Sequence, residues 1–193
     1  MSTTEKMAVE RALAEFDRVG APAALLTIVR TLATSADPRA ADPLLRALTF
    51  NDAAFHDIAI EGLTAIGEPA VEPLLASLDG MDYGARYRAL RALVAIGDPR
   101  ARPAYEYWLG ADIIPGVRCI CVKGLARFPD TEALLLKALE DKVWVVRYYA
   151  IQMLCERGLT PQTRAALATL AADPERVVRL KLAQVFARAD APV

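Results

Sequence analysis

The sequence predicts an all-α protein, an α-solenoid in which short antiparallel helix pairs repeat about every 30 residues. Three observations lead to this prediction. Apolar residues recur at positions i, i+3, i+4 and i+7, which is the period of an amphipathic helix. The same pattern of two apolar segments around a polar turn returns along the chain. No alternating run of β-branched residues lies between turn signals, so strands are not expected.

The repeat is clearest in Glu68–Gly97, which reads EPAVEPLLASLDGMDYGARYRALRALVAIG. Repeat units start at Asp37, Glu68, Asp98, Pro129 and Leu159. Successive starts are therefore 31, 30, 31 and 30 residues apart. Each unit has an apolar helix A, a short polar turn and an apolar helix B, the organisation of HEAT-type repeats. We expect one domain over residues 1–193, with five helix pairs over 37–190.

Turn residues mark the ends of these helices. Glycines that suit the left-handed position after a helix are Gly67, Gly97 and Gly158. Pairs typical of a helix N-cap followed by proline are Asp37-Pro38, Asp98-Pro99 and Asp173-Pro174. Residues 1–36 predict two more amphipathic helices, which we interpret as an N-terminal cap on the stack.

Composition and charge exclude several classes of protein. The chain has 193 residues, 23 basic and 24 acidic, with a pI near 5.9, which argues against a nucleic-acid-binding domain. No apolar run approaches the roughly 20 residues of a membrane span, and no signal peptide is evident. The three cysteines lack disulfide or zinc spacing, and no phosphate loop or nucleophile elbow is present. We expect a cytoplasmic protein without metal or cofactor.

Charged residues recur in register around helix B. Arginines near its start are Arg86, Arg118, Arg147 and Arg179, and aspartates that precede it are Asp82, Asp112, Asp141 and Asp173. Equivalent positions line up in a stack of repeats, so these residues can form an Asp–Arg ladder between repeats. Alternatively, some guanidinium groups face a ligand, where their planar fork suits carboxylates.

Aromatic residues concentrate in the middle of the chain. All six tyrosines and both tryptophans lie between residues 83 and 149. Residues 81–128 carry a net charge of 8 − 4 = +4, whereas residues 1–80 carry 6 − 12 = −6. The aromatics either fill the core or, beside arginine, stack on a flat conjugated ligand. The second interpretation places a binding surface for a small anion here.

Cys119 and Cys121 are two residues apart, so they do not share a helix face. Each of the two can be explained as a buried core residue. The alternative is that a thiol near Arg118 and Lys123 has a lowered pKa and is nucleophilic. We interpret His56, the only histidine, as a surface or hydrogen-bonded polar residue.

The run Leu78–Arg86, LDGMDYGAR, followed by Arg91-Ala92-Leu93 and by IGDPRA at Ile96–Ala101, resembles the phycobilisome-lyase family of HEAT-like repeats. The resemblance covers residues 37–190 and is tightest in Gly67–Pro103. Length and order are similar to the shorter F-type subunit of the E/F heterodimeric phycobilin lyases.

The resemblance implies an enzyme subunit that works with an E-type HEAT-repeat partner. Together they attach a linear tetrapyrrole, phycocyanobilin or phycoerythrobilin, to a cysteine of a phycobiliprotein α subunit. The nucleophilic cysteine belongs to the acceptor protein. Isomerising members carry an Asn-His-Cys motif that this chain lacks at Arg118–Gly124, so we predict ligation without isomerisation.

The resemblance also assigns roles to the middle of the chain. Arginines would bind the bilin propionates, an aspartate the pyrrole N–H groups, and aromatics the conjugated face. The bilin site predicted in this way is Asp82, Tyr83, Arg86, Tyr87, Arg118, Trp144, Arg147 and Tyr148. Candidates for a catalytic role are Asp82, Cys119 and Cys121.

Two other functions remain open at this stage. The repeat suits a non-catalytic scaffold or chaperone in phycobilisome assembly or degradation. A HEAT-like enzyme acting on nucleic acid is the third hypothesis, which the acidic pI opposes.

Overall fold

A computed structural model describes residues 2–189 and contains twelve α-helices within that range. The helices are α1 Thr3–Glu15, α2 Pro22–Ser35, α3 Ala41–Ala47, α4 His56–Ile66, α5 Val71–Ser77, α6 Tyr83–Ile96, α7 Arg102–Ala111, α8 Pro115–Leu125, α9 Glu132–Ala138, α10 Trp144–Glu156, α11 Pro161–Ala168 and α12 Arg176–Ala189. No strand occurs in residues 2–189. The predicted all-α fold of HEAT-like helix pairs is therefore confirmed.

The chain divides into two compact units, one ending at Ala101 and the other beginning at Arg102. In the first unit α2, α4 and α6 pack side by side as the B helices, and α3 and α5 pack as the A helices. In the second unit α8, α10 and α12 form the B row, and α8 and α10 pack against α7 and α9, respectively. That residues 1–193 act as one domain stays a prediction.

The turns before the A helices follow the predicted caps. Asp37 accepts a hydrogen bond from the Arg39 N–H (2.9 Å) ahead of a 3₁₀ turn at Pro38–Ala40. Asp98 accepts from the Arg100 N–H at the same distance of 2.9 Å. Each aspartate therefore accepts an N–H that has no partner within the helix. The proline between the aspartate and the arginine has no N–H, so it leaves no further donor unpaired at this helix start.

Glycine at helix ends agrees with the prediction in part. Gly97 ends α6 in the left-handed conformation (φ 76°, ψ 21°). Gly67 also has a positive φ of 74°, but its ψ of −132° lies outside the left-handed helical region, so the αL prediction is wrong there. The reason is that the chain extends at Gly67 to enter the following 3₁₀ turn at Glu68–Ala70.

Candidate functional site

In the first unit, the predicted site residues occupy the start of α6. Asp82 is the N-cap of α6, and its Oδ1 accepts the Ala85 N–H at 2.8 Å. This bond lowers the pKa of Asp82, so the carboxylate is ionised at neutral pH. Tyr83 is 62% exposed and Tyr87 is 37% exposed. The first turns of α6 therefore present one fixed anion and two accessible aromatic rings.

Arginines on α6 hold this surface in place. The Arg86 guanidinium donates to the backbone carbonyls of Leu78 (3.1 Å) and Met81 (2.7 Å). Arg91 lies 5.9 Å from the centre of the Tyr87 ring and pairs with Asp57 at 3.2 Å. These contacts restrain the Tyr87 ring and fix the turn that carries Asp82.

In the second unit, two predicted ligand-binding arginines are bound by aspartates of the protein itself. Arg118 on α8 donates from Nε and Nη2 to the two carboxylate oxygens of Asp141 at 2.7 and 2.8 Å. Arg147 on α10 makes the same two-pronged contact with Asp173, also at 2.7 and 2.8 Å. Both arginines are buried. Their predicted role in binding propionates is therefore corrected, because the fork of each guanidinium is already occupied.

Each aspartate of this ladder has a second task. Asp141 also accepts the Val143 N–H, and Asp173 accepts the Glu175 N–H, each at 2.8 Å. The aspartates thus close the turn ahead of one helix B and bind the arginine of the preceding helix B. The ladder interpretation of the sequence is confirmed for these two pairs.

The cysteines are also placed differently from the reactive-thiol hypothesis. Cys119 and Cys121 lie in the core of the second unit, 6% and 0% exposed. Burial raises the pKa of Cys119 to about 11, and burial likewise raises the pKa of Cys121 above its ordinary value. Of the two alternatives, the buried core residue is confirmed and the lowered pKa is wrong, because desolvation outweighs the attraction of Arg118 and Lys123.

The structure brings together two lysines that the sequence analysis did not select. Lys123 on α8 places Nζ 4.4 Å from the ring centre of Tyr149, and Lys181 on α12 places Nζ 5.0 Å from that of Tyr148. The two tyrosines on α10 meet edge to face, with ring centres 5.9 Å apart. We call Lys123, Tyr149, Tyr148 and Lys181 the lysine–tyrosine surface.

This surface has the chemistry that the arginines were expected to supply. All four side chains are half-buried, and within residues 2–189 neither lysine forms an ion pair with a carboxylate. An ammonium group above an aromatic face is attracted by the ring and keeps donors free for an anion. Trp144, at the start of α10, is 40% exposed and adds a third accessible aromatic ring to this helix. The spacing of lysine and tyrosine in the sequence gave no signal, because the pairs join three different helices.

A cleft in the second unit lies away from this surface. It has a volume of about 270 Å³ and lies between α7 and α9, where Glu106, Leu109, Leu134 and Lys137 line it. No aromatic side chain lines it. A smaller depression of about 110 Å³ between α10 and α12 does include Lys181. The candidate site is therefore an exposed surface and not a closed pocket.

Other kinds of site are not found in the part of the chain that the structure describes. Residues 2–189 contain no group of three or more His, Cys, Asp or Glu side chains placed to hold a metal ion. Within the same range, none of the helices has both the length and the apolar character needed to cross a membrane.

Comparison with known proteins gives two family matches. Residues 114–187 match the model of HEAT repeats, and residues 85–104 match the PBS lyase HEAT-like repeat. No curated protein sequence matches the chain.

Several solved structures are similar to the chain, including the following two. One is a chain from the complex of CpcE and CpcF of phycocyanin lyase from Nostoc sp. PCC7120. It is 31% identical, with a TM-score of 0.71, and the match covers 78% of this chain and 99% of that one. A designed armadillo repeat protein matches with a TM-score of 0.50 at 15% identity, covering 96% of this chain and 99% of that one, which reflects the fold alone.

Proposed function

Since this chain belongs to the phycobilisome-lyase family of HEAT-like repeat proteins, we propose that it is the F-type subunit of a heterodimeric phycobilin lyase. With an E-type partner it attaches a linear tetrapyrrole to a cysteine of a phycobiliprotein α subunit. The observation that carries this proposal is the 31% identity over 78% of the chain to a subunit of the CpcE–CpcF phycocyanin lyase complex.

The side chains support a role in holding the bilin. A linear tetrapyrrole has a long conjugated face, pyrrole N–H groups and propionate carboxylates. Tyr148 and Trp144 offer rings to such a face, and Lys123 and Lys181 offer ammonium groups to the carboxylates. In the first unit, taken by itself, the ionised Asp82 beside Tyr83 and Tyr87 is a separate hydrogen-bond acceptor.

The bond-forming thiol belongs to the acceptor protein in this proposal. Cys119 and Cys121 are buried with raised pKa values, so at neutral pH both stay protonated and are poor nucleophiles. The chain's contribution is to present the bilin in an extended conformation and to shield it from side reactions. No isomerisation of the bilin is expected.

Reconstitution tests the function directly. The protein, an E-type partner, phycocyanobilin and an apo-phycocyanin α subunit are incubated together, and the acceptor is analysed on a denaturing gel. A covalent band on the acceptor that fluoresces with zinc is expected. Its absence, while a known lyase produces it under the same conditions, would show that the chain does not ligate phycocyanobilin.

A non-catalytic scaffold or chaperone is the second candidate. The observation that favours it is the generic HEAT match over residues 114–187. Titration with free phycocyanobilin separates the two functions. A lyase subunit shifts the absorbance of the bilin and loses that shift when Tyr148 is replaced by alanine, whereas a scaffold leaves the spectrum unchanged.

A further inference from the structure

The last helix of the second unit repeats the register of the Asp–Arg ladder. Arg118, Arg147 and Arg179 are each the fourth residue of their B helix. In all three, Nη1 donates to the backbone carbonyl of the aspartate six residues earlier: Asp112, Asp141 and Asp173. Arg179 is therefore held in the same position as the two arginines of the filled ladder.

Within residues 2–189, no aspartate binds Arg179 in the way that Asp141 binds Arg118 and Asp173 binds Arg147. The Nε and Nη2 edges of Arg118 and Arg147 bind Asp141 and Asp173. No carboxylate of residues 2–189 binds those edges of Arg179, which is exposed. A guanidinium fixed through one nitrogen presents its remaining fork preorganised for a carboxylate.

The apolar residues beside Arg179 on α12 are exposed, whereas the equivalent residues on α8 and α10 are buried. The residue four positions after the ladder arginine is Val122 on α8 and Ile151 on α10, and both are 0% exposed. Its counterpart on α12, Ala183, is exposed, and Leu180 beside it is 51% exposed. Arg179, Leu180, Ala183 and Ala187 are all exposed on α12 and form what we call the open stacking face.

We propose that the open stacking face binds the second lyase subunit through a helix pair that continues the stack, with an aspartate of the partner completing the ladder at Arg179. This inference rests on the proposed function, because it takes the second subunit as the occupant. The charge of α12 fits a partner that supplies an acidic group. Residues Arg176–Ala189 contain four basic side chains and no acidic one.

A second copy of this chain fits the face less well. To extend the ladder, its first helix pair would have to present an aspartate in the turn before α2. That turn ends on Ala21, which has no side-chain cap, and its Asp17 is paired with Arg46 at 2.6 Å. The first helix pair of a second copy is therefore poorly suited to supply the carboxylate.

The test measures binding of the E-type subunit from the same organism by isothermal titration calorimetry. Arg179→Glu and Leu180→Asp are each expected to weaken binding at least tenfold, since arginine is typical of interface hot spots and the new carboxylate at residue 180 would be buried against an apolar surface. Arg127→Glu makes the same charge change at an exposed arginine on the loop after α8 and is expected to bind like the original protein. Circular dichroism confirms that each variant is folded.

Amide hydrogen exchange gives a readout without substitution. The partner is expected to slow exchange in residues 176–187 and to leave α11 unchanged. Equal binding by the Arg179→Glu and Leu180→Asp variants, or no protection of α12 in the complex, would overturn the proposal while leaving the lyase function intact. Failure of the unmodified protein to bind the subunit would instead overturn both. Self-association that the Arg179→Glu change abolishes would identify a second copy as the occupant and overturn the proposal.

Discussion

Arginines and lysines of the second unit differ in what they contact, although both belong to the same row of B helices. Arg118 and Arg147 are buried and each binds both oxygens of an aspartate. Lys123 and Lys181 lie above tyrosine rings and have no carboxylate partner within residues 2–189. The comparison teaches that positive charge in a helical repeat does not by itself mark a ligand site. Charge that the fold leaves unpaired is the better indicator.

Removing a ladder arginine is expected to have the largest effect. Arg147→Met leaves the Asp173 carboxylate, whose side chain is 2% exposed, buried without its partner. Breaking such a pair costs about 3–5 kcal/mol of unfolding free energy. Urea denaturation followed by circular dichroism measures it.

The matched control replaces an arginine that pairs at the surface. Arg11→Met removes the contact with Glu15 at 2.9 Å, in which the two side chains are 79% and 39% exposed, so only a small change is expected. If the two variants lose equal stability, the distinction between ladder and surface arginines does not hold.

Lowering the pH is expected to remove gradually the free energy that the Asp–Arg ladder contributes to folding. Arg147 holds the pKa of Asp173 below its ordinary value of 3.8. Burial alone would raise the pKa of Asp141, but hydrogen bonds from Arg118 and the Val143 N–H outweigh it, so that pKa is also below 3.8. A carboxyl group with a lower pKa in the folded chain stabilises the fold above its unfolded pKa and loses this effect as the pH falls through the folded pKa.

Unfolding free energy should therefore be nearly constant around neutral pH and should fall below about pH 4. Urea titrations at a series of pH values measure this. The Asp173→Asn variant is expected to be less stable at neutral pH and to show a shallower decline in acid. An identical slope in both proteins would mean that other carboxylates control acid unfolding.

Removing the lysines is expected to affect binding and not stability. Lys123→Ala and Lys181→Ala should each weaken phycocyanobilin binding about tenfold, the loss of one charge-assisted hydrogen bond to a propionate. Absorbance titration at low salt measures the affinity. Lys137→Ala, in the cleft between α7 and α9, is the control and should bind normally. Full affinity in both lysine variants would remove the lysine–tyrosine surface from the proposed bilin site.

The smallest effect is expected at the cysteine. Cys119→Ser keeps the size of a buried side chain that has no assigned chemistry, so ligation to the acceptor should proceed at nearly the original rate. The reconstitution assay measures this. If a folded Cys119→Ser protein lost ligation activity, the Cys119 thiol would have a role in catalysis and the prediction would be wrong.

Much of the candidate site could be predicted as a region but not as a set of residues. The concentration of aromatics and charge between residues 83 and 149 includes Tyr83, Tyr87, Trp144 and Tyr148, whose rings are accessible to different degrees. The same reasoning offered an aspartate ladder and a ligand as alternatives for Arg118 and Arg147. It could not choose between them, because the partners of these arginines lie 23 and 26 residues away in the sequence. It overlooked Lys181, since only the packing of α10 against α12 brings that lysine to Tyr148.

The sequence by itself determined the repeat, the helices and the register of the Asp–Arg ladder. Local physics is sufficient for these features: apolar periodicity defines helices, proline and glycine define their ends, and a period near 30 residues aligns equivalent positions. The tertiary structure decided which cations are paired, which thiols are desolvated and which helix face stays uncovered. Those properties depend on neighbours from other repeats, and only the packed chain shows how much water and opposite charge each group meets.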